Sequence, residues 1–381
     1  MSENKYINLG INTIMLIMGQ ACNLQCKYCL KHTMVNDPLE SDISDTVYDY
    51  LDFLCENSPV HIWINYYGGE PLLYFDGIKK VIAHCESVEK KYGNDTFSHG
   101  MISNGKALTE EIVNYLNEKE IGYCISWDGK NSDYTRGYDA LVKKDLIMKI
   151  DRLGFSTVLT SKAYPYDVAV SLQKIDDEYF KIHGYHITVN YDDLMNTGCG
   201  IELEELLKID FNEFYTQWGK LFDIYQEWVM MKDDNARNAF YEKNYVAVTL
   251  ITEIINQING FVKNDGKYSL LARCSQGRDV INMDLQGNLY ECHNNTDGKL
   301  GNISDFPMNI ITRTMEAEYP IMHRKATTCK GCEVMAVCGG GCKLVKEENL
   351  GLSCKLAKTK YEAIADKLIK LAEEEDTNGS K

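Results

Sequence analysis

Apolar residues in the first half of the chain fall into short runs separated by polar, helix-spaced stretches. The runs predict strands at 13–18 ("TIMLIM"), 60–66 ("VHIWINY"), 97–102, 121–127 ("IGYCISW"), 155–160 and 185–190. Between them, helical spacing predicts helices near 42–56, 76–92, 108–119, 139–153 and 168–182. Six β/α units in series imply a parallel sheet with outer helices, either doubly wound or part of a barrel. In a parallel barrel, chemistry gathers on the loops after the strand C-termini.

The second half changes character. "DFNEFYTQWGKLFDIYQEWV" predicts a long helix with a cap at Asp210 and Glu213 three positions later. Its apolar positions 211, 214, 215, 218, 221, 222, 225 and 229 keep helical spacing. Residues 238–262 continue mostly helical and read as a bridge. From 273, cysteine and glycine rise and long periodic runs stop, which puts a domain boundary near 270. "KYEAIADKLIKLAEEE" reads as a closing amphipathic helix, with "DTNGSK" as a loose tail. There is no internal repeat.

Composition adds bounds. The 381 residues are 44% hydrophobic and 25% charged, enough for one large core and a smaller domain. "MSENKY" is polar and "INTIMLIMG" is too short to span a bilayer, so the chain reads as soluble and cytoplasmic, with no membrane partner. A formal net charge of −16 argues against nucleic acid and anionic lipid. A basic peptide segment fits that field, and solubility alone explains it as well.

Fourteen cysteines are many for a chain read as cytosolic, where disulfides are rare and dense cysteine points to metal or redox chemistry. Cys22, Cys26 and Cys29 follow the first predicted strand. Seven more lie at 274–354. Cys55, Cys85, Cys124 and Cys199 stand alone. Soft thiolates at x3 and x2 spacing suit an iron–sulfur cube with one iron left open. Zinc remains an alternative on these residues alone.

"ACNLQCKYCL" resembles the signature of the radical S-adenosylmethionine (radical SAM) superfamily, CxxxCxxC with an aromatic residue before the last cysteine, here Tyr28. The resemblance implies a partial (β/α)6 TIM-like barrel whose 4Fe–4S cube binds SAM at its open iron. A reduced cube then yields methionine and a 5′-deoxyadenosyl radical. "YYGGEPLL" after the second strand is similar to the family's GGEP motif, at Gly68, Gly69, Glu70 and Pro71. The glycines would let backbone carbonyls approach the SAM amino group, from which Glu70 can accept. Ser103 and Asn104 follow the third strand. Ser126 and Asp128, in "CISWDGK", resemble the family's S-x-D-G segment beside the ribose, and Arg136 is a candidate partner for the SAM carboxylate. Read without the family, Ser103, Asn104 and Asp128 are also ordinary turn and capping residues. Arg136 is equally a surface ion pair, and Tyr66 and Tyr67 are packing residues.

Cys274, Gly287 and Cys292, then Cys329, Cys332, Cys338, Cys342 and Cys354, resemble the SPASM domain, an extension that carries two auxiliary 4Fe–4S clusters. "INMDLQGNLYECHNN…KLGNI" resembles its β-hairpin and following turn. A zinc ribbon is the alternative, but seven cysteines divide badly into tetrahedral sites. The resemblance assigns Cys329, Cys332, Cys338 and Cys354 to one cluster, and Cys274, Cys292 and Cys342 to the other. The second set lacks a fourth cysteine, so its last iron is open or takes another ligand. The implied division is a barrel over 1–215, a helical bridge over 216–270, a small cysteine-rich α+β domain over 271–356 and a helix with tail over 357–381.

SPASM proteins mostly modify peptides or proteins. The implied activity is oxidative crosslinking, thioether or carbon–carbon, in maturation of a ribosomal peptide, with a low-potential donor such as flavodoxin or ferredoxin. Sulfatase-maturing relatives carry an aspartate after the cysteine matching Cys292; here His293 follows, a candidate general base or a structural histidine. Sulfatase maturation is the second reading. A non-catalytic electron carrier is the reading from another class, against which the SAM motifs count. The first strand begins by about residue 13, which leaves no space for an N-terminal leader-binding domain. Cys199, in a glycine-flanked loop after the sixth strand, is a further candidate. Cys55, Cys85 and Cys124 read as small hydrophobes.

Overall fold

The structure, a computed structural model, describes residues 11–30, 42–197, 202–263, 274, 280–305 and 307–379. In chain order the elements are β1 (Thr13–Ile17), α1 (Asp45–Asn57), β2 (Ile62–Tyr67), α2 (Phe75–Tyr92), β3 (Phe97–Ser103), α3 (Glu110–Glu118) and β4 (Gly122–Ser126). Then come α4 (Ser132–Arg136), α5 (Lys144–Ile147), β5 (Leu153–Leu159), α6 (Pro165–His183), β6 (Thr188–Asp193) and α7 (Leu203–Leu206). The long helices α8 (Phe211–Met230), α9 (Asp234–Lys243) and α10 (Tyr245–Lys263) follow. The chain ends with β7 (Val280–Asp284), β8 (Asn288–Cys292), β9 (Asn295–Asn302), α11 (Pro307–Ala326), α12 (Met335–Cys338) and α13 (Leu350–Gly379). The six β/α strands are all present, and the fold is the mixed α/β class that the alternation predicts.

The chain divides into two compact units. The first holds Met1–Ser126, Ala140–Gly154 and Cys274–Met322. Its strands run in the order β4-β3-β2-β1-β7-β8-β9. Pairing is parallel from β4 to β7 and antiparallel through β8 and β9. β1 is apolar at nearly every position because it is central and covered on both faces. α1 covers the sheet with Val47, Leu51, Leu54 and Cys55, and α2 with Ile78, Val81, Ile82 and Cys85, both at helical spacing. The cysteines of both helices are buried apolar fillers. The hairpin read from "INMDLQGNLYEC" pairs through β7 with β1, Ile14 opposite Ile281, and so extends the sheet of the first strands.

The second unit holds Trp127–Asp139, Phe155–Arg273 and His323–Lys381. Asp210 caps α8 as its position predicts, accepting from the Asn212 and Glu213 amides. Glu213 does not reach back to complete a capping box; it accepts from Gln217 Nε2 at 2.8 Å. α8 buries Phe214, Trp218, Leu221 and Phe222 and packs against α10 and α13.

Three expectations need correction. The helix over 139–153 is only a 3-10 turn and the four-residue α5, followed by irregular chain up to β5. Side chains from elsewhere take its backbone groups. Lys143 Nζ donates to the Lys106 and Leu108 carbonyls, and Asn117 bonds both the Lys149 carbonyl and the Asp151 amide. The cysteine-rich region also contains the 20-residue helix α11, with Pro320 inside it. The closing helix starts at Leu350, so Cys354 stands in it, and it continues to Gly379 through the stretch read as a tail.

Candidate functional site

The three-cysteine loop leaves β1 and stays in register with the end of β2. The Met18 amide donates to the Tyr67 carbonyl at 2.8 Å, Gly69 N to Gly19 O at 3.0 Å and Glu70 N to Ala21 O at 2.9 Å. Gly68 and Gly69 are therefore required by the loop itself. A Cβ on Gly69 would stand 2.2 Å from the Ala21 carbonyl oxygen, and one on Gly68 2.3 Å from that of Gly19. Gly68 also has φ +152, outside the range of ordinary residues. Tyr74 completes the clamp by accepting from the Ala21 amide at 2.8 Å.

Within the loop, Cys22, Cys26, Tyr28 and Cys29 are half-buried, and the Cys29 amide closes a turn on the Cys26 carbonyl at 3.0 Å. The Cys22 sulfur receives N–H from Leu24 at 3.4 Å and from Asn104 Nδ2 at 3.8 Å. Asn104 Nδ2 also donates to Asn23 Oδ1 at 2.8 Å, and Lys106 Nζ to the Asn23 carbonyl at 3.3 Å. Burial pushes the Cys22 thiol up, and Glu70 and Cys29 add to it, while the Leu24 and Asn104 donors pull it down. A cationic metal centre is what would relieve that balance and hold the thiolate.

Glu70 ties β2 to β3. It is 1% exposed; Oε1 accepts from the Leu72 amide and Ser103 Oγ, and Oε2 from the Asn104 amide. Burial raises its pKa, opposed by those three donors. Ser103 Oγ donates to Glu70 at 2.7 Å and accepts from Tyr123 OH at 2.9 Å and from the Gly105 amide at 3.0 Å. That fills one donor and two acceptor places, so Ser103 acts here by holding Glu70. Pro71 opens the 3-10 turn after Glu70 and is buried.

The β8–β9 turn joins the same neighbourhood of the first unit. The Asn294 amide donates to the Cys292 sulfur at 3.4 Å. Tyr67 OH donates to Asn294 Oδ1 at 2.9 Å, and Gln20 Nε2 to Thr296 Oγ1 at 3.1 Å. His293 meets the Tyr67 ring edge-on at 4.3 Å and Asn294 Nδ2 at 3.2 Å. Cys292 is buried and Cys274 exposed. Tyr66 is buried, its hydroxyl 3.0 Å from His99 Nδ1. Ser126 is half-buried at the end of β4. Cys199 lies outside the described residues.

In the second unit Asp128 is a structural hub. Oδ1 accepts from the Val158 amide at 3.0 Å and from Arg136 Nη2 at 2.9 Å; Oδ2 accepts from Thr135 Oγ1 at 2.7 Å. Arg136 is not a surface residue: its side chain is 9% exposed and that of Asp128 0%. Asn23, Tyr74, Thr135 and Lys106 were not singled out from the sequence. Asn23, between two of the cysteines, Lys106, beside "SNG", and Thr135, beside Arg136, stood in stretches that could have flagged them.

The later cysteines of this unit form a second group. Cys329 is buried; Cys332, Cys338, Cys342 and Cys354 are half-buried. Burial raises the Cys329 thiol, and Cys354, Cys338 and Cys332 raise it further; Cys354 likewise feels Cys338 and Cys332. Four thiols that repel one another as thiolates fit a shared polynuclear cation. The Leu344 amide donates to Cys342 sulfur at 3.4 Å, the same i+2 contact seen at Cys22 and Cys292. Among the described residues no three His, Cys, Asp or Glu side chains converge on one metal ion; a cube spreads its cysteines over separate irons.

No family model matches the chain. It is 30% identical over 168 residues to the uncharacterized protein MJ0907 of Methanocaldococcus jannaschii, covering 41% of this chain and 56% of that one. The chain thus spans just over half the length of that relative. The radical SAM cyclopropyl synthase TigE of Paramaledivibacter caminithermalis is 21% identical, over 90% of this chain and 70% of its own. The serine-type anaerobic sulfatase-maturating enzyme of Klebsiella pneumoniae is 23% identical, over 86% and 80%. Native anSMEcpe with bound AdoMet shares the fold, with a TM-score of 0.67 at 19% identity, over 95% and 99%; it has also been solved with the Cp18Cys peptide. Its homologues by sequence and by fold are thus radical SAM enzymes, a cyclopropyl synthase and sulfatase-maturating enzymes among them.

Proposed function

We propose that this protein uses SAM to abstract hydrogen from a peptide or protein side chain and completes an oxidative crosslink, thioether or carbon–carbon, in a ribosomal peptide. One observation carries the reading. Three half-buried cysteines lie on a loop locked to the GGEP end of β2, the place after a parallel strand where such chemistry gathers. Cys22, Cys26 and Cys29 would hold a 4Fe–4S cube, which when reduced would supply the electron for cleavage of SAM. The chain's own contribution is placement. Gly68, Gly69 and Tyr74 fix the loop, Glu70 and Ser103 set the ends of β2 and β3, and Asn104 donates to the Cys22 sulfur. Ser126, Asp128 and Arg136 are proposed SAM contacts; Asp128 and Arg136 also hold each other. The later cysteines would hold auxiliary 4Fe–4S clusters, which would supply an acceptor for the electron left after hydrogen abstraction. A flavodoxin or ferredoxin supplies the reductant.

AdoMet and peptide bound to anSMEcpe, which shares this fold, support a peptide substrate. The similarity to a sulfatase-maturating enzyme keeps formylglycine formation as the second reading. Against it stands His293 where those enzymes place an aspartate. The contacts of His293 with Tyr67 and Asn294 favour a positioning role in the turn over a base. The test is co-expression with a short cysteine- or aromatic-bearing peptide encoded beside the gene, followed by mass measurement. A loss of two hydrogens supports crosslinking. Conversion of cysteine to formylglycine supports the second reading, and an unchanged mass with every neighbouring peptide contradicts the first.

A further inference from the structure

Arg324 lies in the last turn of α11, between His323 and Lys325. Its side chain is 2% exposed. Nε donates to Glu347 Oε1 at 2.9 Å, and Nη1 donates to the carbonyls of Gly340 at 3.0 Å and Cys342 at 3.1 Å. Nη2 donates to the Val345 carbonyl. The Arg324 carbonyl accepts from the Cys329 amide at 2.9 Å. One residue therefore grips the loop from Gly340 to Val345 through its side chain and the start of the CxxC pair through its main chain.

The loop is shaped for that grip. Gly339, Gly340 and Gly341 are all left-handed, with φ of 71°, 84° and 77°. Three such residues in a row are open to glycine alone at low cost. Two carbonyls of this turn and its end, those of Gly340 and Cys342, meet the guanidinium. The side chain of Glu347, its acidic partner, is half exposed.

We propose that Arg324 is a positioning residue for the auxiliary metal centre. Its planar fork fixes the turn that joins Cys338 to Cys342, two cysteines that the SPASM pattern assigns to different clusters. This rests on the auxiliary-cluster reading above. Lysine supplies a point charge but no fork, so it cannot hold three carbonyls and an acid in one plane.

The test uses the full chain, reconstituted anaerobically, as wild type, R324K and R324Q. Iron per chain and the midpoint potential of the auxiliary signal by electron paramagnetic resonance are the readouts. Wild type must first bind clearly more than one cube, about four irons; if it does not, the auxiliary-cluster reading fails, and not the role of Arg324 within it. R324Q is expected to lose about four irons while SAM cleavage at the first site persists. R324K is expected to keep most of its iron with a lower auxiliary potential and a broader signal. The proposal is overturned if R324Q keeps wild-type iron and potential. It is overturned equally, even should R324Q fail to fold, if R324K matches wild type in both readouts.

Discussion

The loop at Cys22–Cys29 and the loop at Cys338–Cys342 both hold thiols in place, and they do it by opposite means. The first is held by main chain: amides and carbonyls of residues 18–21 pair with those of residues 67–70, and bare glycines allow the approach. The Cys22 sulfur receives neutral N–H groups, and the buried acid Glu70 acts on that thiol. The second is wound around a buried cation that takes its carbonyls directly. A loop gripped around a charge suits a centre that only stores or passes electrons.

The largest expected effect separates the two groups by cysteine removal. Cys26→Ala should lose about four irons and all SAM cleavage. Cys332→Ala should lose about four irons and keep SAM cleavage, while failing to complete peptide modification. Equal loss of SAM cleavage in both variants would erase the distinction drawn here.

The next effect is a pH dependence confined to the sheet below the first loop. Burial holds His99 neutral, with its pKa lowered from 6.5 to about 4. The unfolded chain takes up that proton as pH falls below 6.5, and the folded ring does not. Stability is therefore full above pH 6.5 and is lost toward pH 4, by about 3 kcal/mol. Urea midpoints measured at pH 7 and pH 4.5 should show this fall in wild type and a flatter slope in His99→Phe. The second loop relies on Arg324, a permanent cation.

The smallest effects compare the glycines. Gly69→Ala forces a backbone clash and should cost about 1–3 kcal/mol, with loss of iron from the first site. Gly340→Ala forces one left-handed alanine and should cost about 1–2 kcal/mol, with loss confined to auxiliary iron. Thermal unfolding and iron content together check both.

Much of this was legible in the residues. The apolar runs placed six strands, Asp210 marked the start of α8, and the cysteine spacings marked both thiol groups. The reasons behind the motifs were less legible. Gly68 and Gly69 looked like room for a ligand, but the carbonyls of Gly19 and Ala21 already require that room. Arg136 resembled a surface ion-pair residue because its partner, Asp128, is brought close by the turn between them. The 139–153 segment has helical spacing, but Lys143 and Asn117 divert it through long-range bonds that no local pattern encodes. α11 was hidden by Pro320, and Arg324 by the polar residues around it. Contacts distant in sequence decide all of these.

The most direct test of the central claim is anaerobic incubation of reconstituted protein with SAM and a strong reductant, followed by assay for 5′-deoxyadenosine. Wild type should form it together with methionine, and a variant lacking Cys22, Cys26 and Cys29 should not. Iron-loaded wild type that forms none, or a triple variant that forms as much, would contradict the assignment of that loop as the SAM-cleaving centre.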